Sequence, residues 1–470
     1  MEILTASQMY AADKETVAKI MPEFELMSNA GFATVCEISK RFKKTPAFIL
    51  CGSGNNGGDG FVIANLLQQR GWSVEVVFTG NLPDLKGAAL KHASRWKGVT
   101  SLMNPNLIKR LLQKKAVLID AMFGIGLNRP MPENLQSFVK KVNETDVPCI
   151  AVDLPSGVAA DTGEVLGAAL KCCLTVTFCR PKPAHFLYPA KEYVGETVVC
   201  PIGIPDEIVK NQNPRFFIND ETLFNIPPLT AQTHKYTRGA VLICGGSEMT
   251  GAARLAARAA RRAGAGWVSV SADKNACPAY AADCAENIVF PITAPEDFKD
   301  VVQNPKIRAI AIGSGCGISQ TTKERLKIVS DSQKPFVADA DAIAFAKDTD
   351  MKNAVLTPHG GEFYALFPEL KGLDKLSAAL SAAKTLNCTV VLKGADTVIA
   401  CADGRAAVNA KTSFELSTAG SGDVLTGITA TMLSKGLPPF EAACAAVFLH
   451  SEAAVKAGKN IIASDIVDCL

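Results

Sequence analysis

The sequence predicts an α/β protein built from two domains. Short apolar stretches with the length of strands alternate with helix patterns, and several of these strands run directly into Gly-rich loops. That order is typical of parallel sheets with crossover helices. The chain has 470 residues, which is more than a single hydrophobic core usually holds. Its hydrophobic content of 48% is enough to fill two cores. A Pro- and Asn-rich stretch suggests the domains 1–212 and 213–470.

Composition narrows the class of function. Charged residues make up 20% of the chain and the formal net charge is +3, which is too balanced to predict nucleic-acid binding. The start, Met1 to Thr5, lacks the basic and apolar regions of a signal peptide, and no apolar run is long enough to span a bilayer. The 15 cysteines include no Cys-x-x-Cys pair, which favours reduced thiols over a zinc site. We expect a cytoplasmic protein with small-molecule partners, no membrane and no nucleic acid.

The strongest single signal in the first half is the loop 52–60. Residues up to about 41 have a helix pattern, and a strand at 48–51 follows and leads into this loop. A helix at 61–70 and a strand at 74–78 come next. The loop holds Asn55, Asn56 and Asp59, which are costly to bury without partners. It therefore predicts a ligand or ion site.

Two further strands of the first half, 117–120 and 149–153, each end in an aspartate. The carboxyl ends of parallel strands line the ligand crevice of an open sheet, so Asp120 and Asp153 should project beside the loop 52–60. The loop 121–130 and the turn 154–157 follow these strands. The oxygens of Asn56, Asp120 and Ser156 could converge on a hard monovalent cation. Ordinary capping of helices and turns explains the same three residues on spacing alone.

The second half repeats the pattern of strand, loop and helix. A strand at 240–244 and a helix from 251 to about 263 flank a Gly-Gly-Ser turn, and later strands end at Gly313–Gly315, Asp339, His359 and Lys393–Gly394. For His359 a buried, hydrogen-bonded role competes with substrate contact, and for Lys393 a solvated turn competes with phosphate contact. The stretch 419–427 predicts a tight loop that opens a helix and holds an anion. Asp423 would then accept a proton from an incoming hydroxyl.

Taken together, these motifs resemble one family across nearly the whole chain, the bifunctional NAD(P)H-hydrate repair enzymes. The N-terminal resemblance rests on the motifs at 54–60, 120–127 and 152–157, and the C-terminal one on those at 245–247, 250–253, 313–315, 339–342, 357–359, 393–394 and 420–423. Ser53 and Ser314 stand where the family often has proline. The resemblance implies a Rossmann-like three-layer domain with epimerase activity, followed by a ribokinase-like α/β domain with ADP-dependent dehydratase activity.

The resemblance also implies binding residues. In the first domain the matching hydrate-binding positions are Asn55, Asn56, Gly57, Gly58, Asp59, Gly124, Ile125, Gly126, Leu127, Asn128, Arg129, Pro130 and Asp153. The matching potassium ligands are Asn56, Asp120 and Ser156. In the second domain the hydrate-binding positions are Ala252, Ala253, Gly315, His359 and Asp423, and the nucleotide-binding positions are Lys393, Gly394, Ala395, Asp396, Thr397 and Gly422. The implied cofactors are K⁺ for the epimerase and Mg²⁺ for the dehydratase, with ADP as co-substrate, and a homo-oligomer is expected.

The implied chemistry repairs a reduced nicotinamide that has taken up water at ring carbon six. Asp153 would be the acid/base of R and S exchange, with Lys182 as a second candidate. Asp423 would deprotonate the ring hydroxyl of the S form, which attacks the β-phosphate of ADP; AMP leaves, and phosphate is then eliminated. A kinase of small alcohols, a scaffold protein and a dehydrogenase are the alternatives. The loop 54–60 argues against the kinase, Asp153 against the scaffold, and the lack of a suitably spaced acidic residue against the dehydrogenase.

Overall fold

The chain divides into two compact units in the computed structural model, which describes residues 1–104, 106–411 and 413–470. The first unit is Glu2–Phe216, and the second is Phe217–Leu470 together with Met1. The division between the two units therefore falls a few residues after the expected boundary at 212. Both are α/β units with parallel sheets, as the sequence predicts.

In the first unit, strands alternate with helices. The strands are β1 (Glu2–Ile3), β2 (Ala47–Cys51), β3 (Val74–Phe78), β4 (Val99–Leu102), β5 (Val117–Ala121), β6 (Cys149–Val152), β7 (Leu174–Phe178) and β8 (Glu196–Cys200). The helices are α1 (Ala6–Lys19), α2 (Glu23–Arg41), α3 (Asn55–Gln69), α4 (Gly87–Arg95), α5 (Leu107–Lys114), α6 (Glu133–Asn143) and α7 (Asp206–Asn211).

Parallel pairing orders the sheet of this unit as β4-β3-β2-β5-β6-β7-β8. Strands β2, β3, β5, β6 and β7 are buried along their whole length, because helices cover both faces. The strand order reverses between β2 and β5, and such a reversal opens a crevice at the carboxyl ends of the strands. The loops after β2, β5 and β6 therefore meet at one place.

The structure corrects two sequence-based expectations near the N-terminus. The expected helix up to residue 41 is two helices, because the chain is extended at Pro22, whose ring restricts the preceding residues. Helix α3 begins at Asn55, inside the expected loop 52–60. The glycines there allow close packing of this first turn, since a side-chain carbon at Gly57 would lie 1.9 Å from the carbonyl oxygen of Gly52. The polar motif thus forms the N-terminus of a helix.

The second unit has more strands and longer buried helices. Its strands are β9 (Phe216–Ile218), β10 (Ala240–Cys244), β11 (Trp267–Asp273), β12 (Ile288–Ile292), β13 (Ala309–Ile312), β14 (Phe336–Ala338), β15 (Ala354–Leu356), β16 (Thr389–Leu392), β17 (Val398–Cys401) and β18 (Ala406–Val408). Its helices are α8 (Thr250–Arg262), α9 (Cys277–Asp283), α10 (Pro295–Gln303), α11 (Gln320–Asp331), α12 (Gly360–Leu366), α13 (Lys375–Leu386), α14 (Ser421–Ser434), α15 (Pro439–Ala457) and α16 (Ala463–Asp468).

The sheet of the second unit runs in the order β9-β18-β17-β16-β15-β14-β13-β10-β11-β12. Pairing is parallel from β12 to β16 and antiparallel from β16 to β18. Strand β10 has β11 on one side and β13 on the other, so the loops after β10 and β13 flank a switch point. Helix α14 packs closely on α8, since a side-chain carbon at Gly427 would lie 2.1 Å from the carbonyl oxygen of Ala256. This packing fixes the start of α14 beside those loops.

Over the described ranges, none of the helices has the length and apolar character needed to cross a membrane.

Candidate active sites

The first unit contains a cavity of about 680 Å³. Its walls come from one face of α1, the start of α2, and the segments that follow β2, β5 and β6. The predicted residues that line it are Asn55, Asn56, Asp59, Gly124, Ile125, Gly126, Leu127, Asp153 and Lys182. The carboxyl edge of the sheet thus brings together segments that are up to 130 residues apart in the chain.

Asp153 and Lys182 form a buried ion pair at this edge. The Lys182 side chain is 1% exposed, and its Nζ donates hydrogen bonds to Asp153 Oδ1 at 2.7 Å and to Thr177 Oγ1 at 2.9 Å. The Thr177 hydroxyl donates to the same oxygen at 2.8 Å. Burial alone would raise the pKa of Asp153, but the adjacent Lys182 ammonium holds it below its usual value. Asp153 is therefore a carboxylate at neutral pH, with Oδ2 left toward the cavity side, where a side-chain carbon at Gly124 would lie 3.3 Å from it.

The backbone at Asp153 is held in an unusual conformation. Its φ is +67°, a left-handed value that non-glycine residues rarely adopt. His185 supports it, because Nδ1 accepts from the Lys182 backbone N–H at 2.9 Å and Nε2 then donates to the Asp153 carbonyl oxygen at 2.9 Å. Burial lowers the pKa of His185 to about 4, so the imidazole stays neutral. One ring thus fixes both members of the ion pair.

The three predicted potassium ligands lie along one chain of contacts. Ser156 Oγ donates to Asp120 Oδ1 at 2.6 Å, and the Phe123 backbone N–H donates to Ser156 Oγ at 3.0 Å. The next residue, Gly124, approaches Asn56, whose Cγ would be 3.3 Å from a side-chain carbon there. Both polar atoms of the Asn56 amide are buried, and among the described residues neither has a hydrogen-bond partner. An unpaired buried amide costs about 1–3 kcal/mol, which a bound ligand offsets.

Two more carboxyls face the same cavity. Burial raises the pKa of Asp59 well above its usual value, and the nearby Asp153 and Asp13 add to the shift. Burial also raises the pKa of Asp13, on α1, to about 6. The protonated form, which can donate a hydrogen bond, is thus favoured at Asp59 more than in an ordinary aspartate, and Asp13 titrates with a pKa of about 6.

Several predicted residues lie away from the cavity surface. Gly57 and Gly58 are buried in packing, and a side-chain carbon at Gly58 would lie 2.6 Å from the Met27 sulfur. The segment Asn128 to Pro130 is exposed and is not part of the cavity wall. These five positions stay predictions as hydrate contacts.

In the second unit, Asp339 is the centre of a buried network. Its Oδ1 accepts from Thr357 Oγ1 at 2.8 Å and from Lys393 Nζ at 3.0 Å, and its Oδ2 accepts from Thr426 Oγ1 at 2.8 Å. These contacts tie together the ends of β14, β15 and β16 and the first turns of α14. The carboxyl edge of this sheet is therefore rigidly joined to the helix that carries Asp423.

Asp423 lies in the first turn of α14, after Gly420 with φ +88°. Burial raises its pKa, with Asp339 and Asp341 adding to the shift and Ser314 and Lys393 opposing it. A carboxyl with a raised pKa is a stronger base once ionised, and the free N–H groups of the same helix start suit an anion. The loop 419–423 thus has the helix start that the sequence predicts, and the roles of Asp423 as base and of this loop as an anion site stay predictions.

The predicted nucleotide positions form one loop between β16 and β17. Gly394 N–H donates to Thr397 Oγ1 at 3.2 Å, and a side-chain carbon at Gly422 would lie 3.3 Å from Lys393 Nζ. Asp396 pairs with Lys375, at the start of α13, at 2.5 Å. The structure therefore brings Gly422 beside Lys393, while Ala395 is exposed at the tip of the loop.

The remaining predicted hydrate positions differ in accessibility. Ala253 is fully buried in the core, which leaves Ala252 as the accessible member of the pair. Gly315 has φ +69° and lies against the Met249 carbonyl. His359 caps helix α12 through Nδ1, which accepts from the Glu362 backbone N–H at 3.2 Å, and its side chain is 60% exposed. An exposed ring leaves His359 free to meet a ligand.

Sequence reasoning did not single out four residues with evident roles at these sites. Asp13 and Thr177 face the Asp153 carboxylate region, His185 clamps its backbone, and Lys375 pairs with the nucleotide loop. Only Asp13 had a usable signal, because it shares a helix face with Met9 at a spacing of four residues. The other three lie at ordinary strand, turn and helix positions.

Comparisons with known proteins agree in both halves. Residues 23–184 match the family described as YjeF-related protein N-terminus, and residues 240–468 match NAD(P)H-hydrate dehydratase. The bifunctional NAD(P)H-hydrate repair enzyme Nnr of Moorella thermoacetica is 33% identical and aligns over 100% of this chain and 96% of its own length. The protein of the same name from Pyrobaculum aerophilum is also 33% identical, over 100% and 97% respectively.

Among solved structures, an ADP/ATP-dependent NAD(P)H-hydrate dehydratase from Bacillus subtilis, co-crystallised with ATP and Mg²⁺, covers 54% of this chain and 95% of its own, at 30% identity and a TM-score of 0.48. The family rests on the sequence matches, which run through both units and include both sets of motifs. On these grounds the chain belongs to the family of bifunctional NAD(P)H-hydrate repair enzymes.

Proposed function

We propose that this chain repairs hydrated NADH and NADPH in two steps. The first unit interconverts the R and S hydrates, and the second removes water from the S hydrate at the expense of ADP, with release of AMP and phosphate. The observation that carries the proposal is that each unit has its own carboxylate site at the carboxyl edge of its sheet, built around an Asp–Lys pair that is buried in the first unit and partly buried in the second. Two complete sites in one chain fit two successive reactions.

In the first unit, Asp153 acts on the substrate and Lys182 sets its charge. The ion pair keeps the carboxylate ionised at the cavity wall, and Asp59, whose pKa burial raises, donates a hydrogen bond to the hydrate in its protonated form. Gly124 leaves room for a ring close to Asp153, since any side chain there would fill the space between it and Asn56. The hydrate ring thus sits within reach of a fixed negative charge.

We assign Asn56, Asp120 and Ser156 to a potassium ion. The donor set is all oxygen, which suits a hard monovalent cation. The unpartnered, buried amide of Asn56 supports this fit, because its oxygen has no other use within the described structure. A bound K⁺ supplies positive charge that orients the loop 121–127 and an anionic group of the substrate.

In the second unit, Asp423 takes the proton of the ring hydroxyl. The oxygen then attacks the β-phosphorus of ADP, the bond to the bridging oxygen breaks, and AMP leaves. The N–H groups around Gly422 and the Lys393 ammonium face the charge that builds on the transferred group. Phosphate departs with the electron pair of the C–O bond while the ring loses a proton, and the reduced nicotinamide is restored.

Magnesium does not fit a protein cage here. Both carboxylate oxygens of Asp339 are already bonded to protein groups, and Asp341 accepts from the Gly317 backbone N–H at 2.7 Å. Across the described ranges there is no cluster of three His, Cys, Asp or Glu side chains that could hold a metal ion. We propose that Mg²⁺ enters on the phosphates of ADP, and no step of the reaction is assigned to it.

The test mixes the purified chain with both epimers of NADH hydrate and excess ADP and follows the return of reduced-nicotinamide absorbance. Full recovery is expected. Recovery of only half would overturn the epimerase assignment, and no recovery would overturn the dehydratase assignment. Asp423→Ala should abolish recovery while epimer exchange, followed by chromatography, continues. Asp153→Ala should leave only the S half rapidly consumed.

Two further expectations concern the state of the protein. All fifteen cysteines are free thiols, eight of them buried, which fits a reducing compartment such as the cytoplasm. A homo-oligomer is also expected, and light scattering coupled to size-exclusion chromatography measures it directly.

A further inference from the structure

Helix α1 lays one of its faces on the cavity of the first unit. Met9, Tyr10, Asp13 and Val17 line the cavity, and their spacing of one helical turn places them on the same side. The start of the helix is held by the Thr5 cap, whose hydroxyl accepts from the Gln8 backbone N–H at 3.3 Å. This helix lies outside the segment that matches the N-terminal family, residues 23–184.

Asp13 is the carboxyl that α1 contributes to the cavity. Among the described residues, no protein group donates a hydrogen bond to it, so the carboxyl is available to a ligand. The titratable groups that face it or line the same cavity are Tyr10, Lys14, Glu23, Asp59, Asp153, Cys179 and Lys182. A buried cation is present, but it is already paired with Asp153.

We propose that Asp13 is a catalytic residue of the epimerase site, which transfers a proton at one face of the nicotinamide ring while Asp153 serves the other. The inference rests on the proposed epimerisation. Exchange of a hydroxyl between two faces of a ring needs a proton donor where the hydroxyl leaves and a base where water returns. Asp153 comes from the sheet edge and Asp13 from the helix above the same cavity, so the two carboxyls are carried by different walls.

The step balances without any other reactant. The Asp13 proton joins the hydroxyl oxygen, the bond between carbon six and oxygen breaks with both electrons on oxygen, and water leaves. The lone pair of the ring nitrogen forms a second bond to carbon six and gives a planar cation beside the Asp153 carboxylate. Water adds to the opposite face, the electron pair returns to nitrogen, and the extra proton passes to Asp153. Exchange of protons with solvent restores both carboxyls.

Electrostatics supports this division of work. Burial raises the pKa of Asp13 to about 6, with Lys182 acting against the shift and Asp153 and Glu23 with it. The pKa of Asp153 is pushed the other way by Lys182. Two carboxyls in one cavity whose pKa values are driven apart are the usual arrangement of an acid and a base.

The test uses the full chain with equal amounts of R and S hydrate and excess ADP. The wild type should recover all the absorbance. Asp13→Asn should show a fast phase for the S half and then a second phase at the rate of spontaneous epimerisation, because loss of a general acid lowers a rate by about 10²–10⁴-fold. Glu15→Gln is the matched control, because it is also an acid-to-amide change on helix α1. The Glu15 side chain is bonded to Lys19 and Asn211 and does not line the cavity. This control should recover fully at the wild-type rate.

The pH dependence separates catalysis from support of the fold. The second phase of the wild type should show an inflection near pH 6 and slow above it, because the donor form of Asp13 is lost, and Asp13→Asn should lack this inflection. A second phase as fast in Asp13→Asn as in the wild type would overturn the inference while the epimerase assignment stands. A wild type that recovers only half overturns both.

If Asp13→Asn also lost the fast phase, Asp13→Glu would decide, since it keeps the carboxyl. A restored second phase with the same direction of pH dependence supports the role. A fast S phase without any second phase in Asp13→Glu would overturn it.

Discussion

The buried pair of Asp153 and Lys182 makes a prediction that can be worked out in energy. Lys182→Met keeps an unbranched, largely apolar side chain of similar length and removes the ammonium group. The ammonium is bonded to Asp153 Oδ1 at 2.7 Å and to Thr177 Oγ1 at 2.9 Å. Breaking a buried pair by removing one partner typically costs about 3–5 kcal/mol, because the other charge stays buried. We expect a loss of that size in the first unit at pH 7, with epimerisation abolished and dehydration retained.

The cost has a ceiling that depends on pH. Without Lys182, burial raises the pKa of Asp153. Protonation of the carboxyl then removes the cost of burying an unpaired charge. For a carboxyl with the usual value of 3.8, protonation costs about 4 kcal/mol at pH 7 and about 1.6 kcal/mol at pH 5, since each pH unit is worth about 1.4 kcal/mol. The damage should therefore shrink by more than half over these two pH units.

The matched comparison is the double variant Lys182→Met/Asp153→Asn, in which the amide mimics the protonated carboxyl. Hydrogen exchange of peptides from β2, β5 and β6 in increasing urea, followed by mass spectrometry, measures the opening free energy of the first unit separately from the second. The double variant should be more stable than the single one by up to about 4 kcal/mol at pH 7 and about 1.6 kcal/mol at pH 5. Equal differences at the two pH values, or a single variant as stable as the wild type, would refute the reasoning.

Three further predictions test the loops and the clamp. Gly246→Ala should abolish dehydration in the absorbance assay, because a side-chain carbon there would lie 1.6 Å from a carbonyl oxygen of the loop after β13. Gly251→Ala is the control and should keep the dehydration activity, because no atom lies within 4 Å of a side-chain carbon at that position. Lys375→Met should raise KM for ADP about tenfold with a smaller change in kcat, since it removes the ion pair between Lys375 and Asp396 in the loop after β16, and a charged hydrogen bond is worth about 1.5–3 kcal/mol. The pKa of His185 falls from 6.5 to about 4 on folding, so between these values the unfolded chain binds a proton that the folded unit does not. The stability of the first unit should therefore decrease as pH drops from 6.5 toward 4. His185→Gln should make the stability less dependent on pH over this range, as measured by hydrogen exchange in increasing urea.

The parts of the site that could be predicted from sequence are those carried by strand ends. Asp120 lies near the end of β5, while Asp153 and Asp339 directly follow β6 and β14, and a parallel sheet brings such positions to one edge. The strand order was out of reach, because the register of distant strands depends on packing between segments that no local pattern encodes. The start of α3 at Asn55 was also missed, since glycines usually argue against a helix unless close packing requires them.

Residues that reach a site from elsewhere leave almost no local signal. His185 lies in a Pro-rich turn and Lys375 at the start of a surface helix, and neither neighbourhood points to a ligand. Their roles appear only when Asp153 and Asp396 are placed beside them by the fold. Asp13 is intermediate, because its helix face can be foreseen while the cavity beneath it cannot.

The two Asp–Lys pairs look alike but do different work. Asp153 accepts from Lys182 and Thr177 with one oxygen and keeps the other toward the cavity, so in the proposed reaction the paired carboxylate itself meets the substrate. In the second unit, Asp339 uses both oxygens on Thr357, Lys393 and Thr426.

Because both oxygens of Asp339 are bonded to protein groups, we expect it to orient Lys393 and the start of α14, and we propose that Asp423, whose pKa burial raises, is the base. Replacing Asp339 by asparagine should therefore weaken ADP binding and slow phosphoryl transfer without removing the base. Replacing Asp423 should remove the base and leave nucleotide binding intact. Binding of ADP measured by calorimetry, set beside the rate of recovery, separates the two cases, and equal loss of affinity in both would contradict this division.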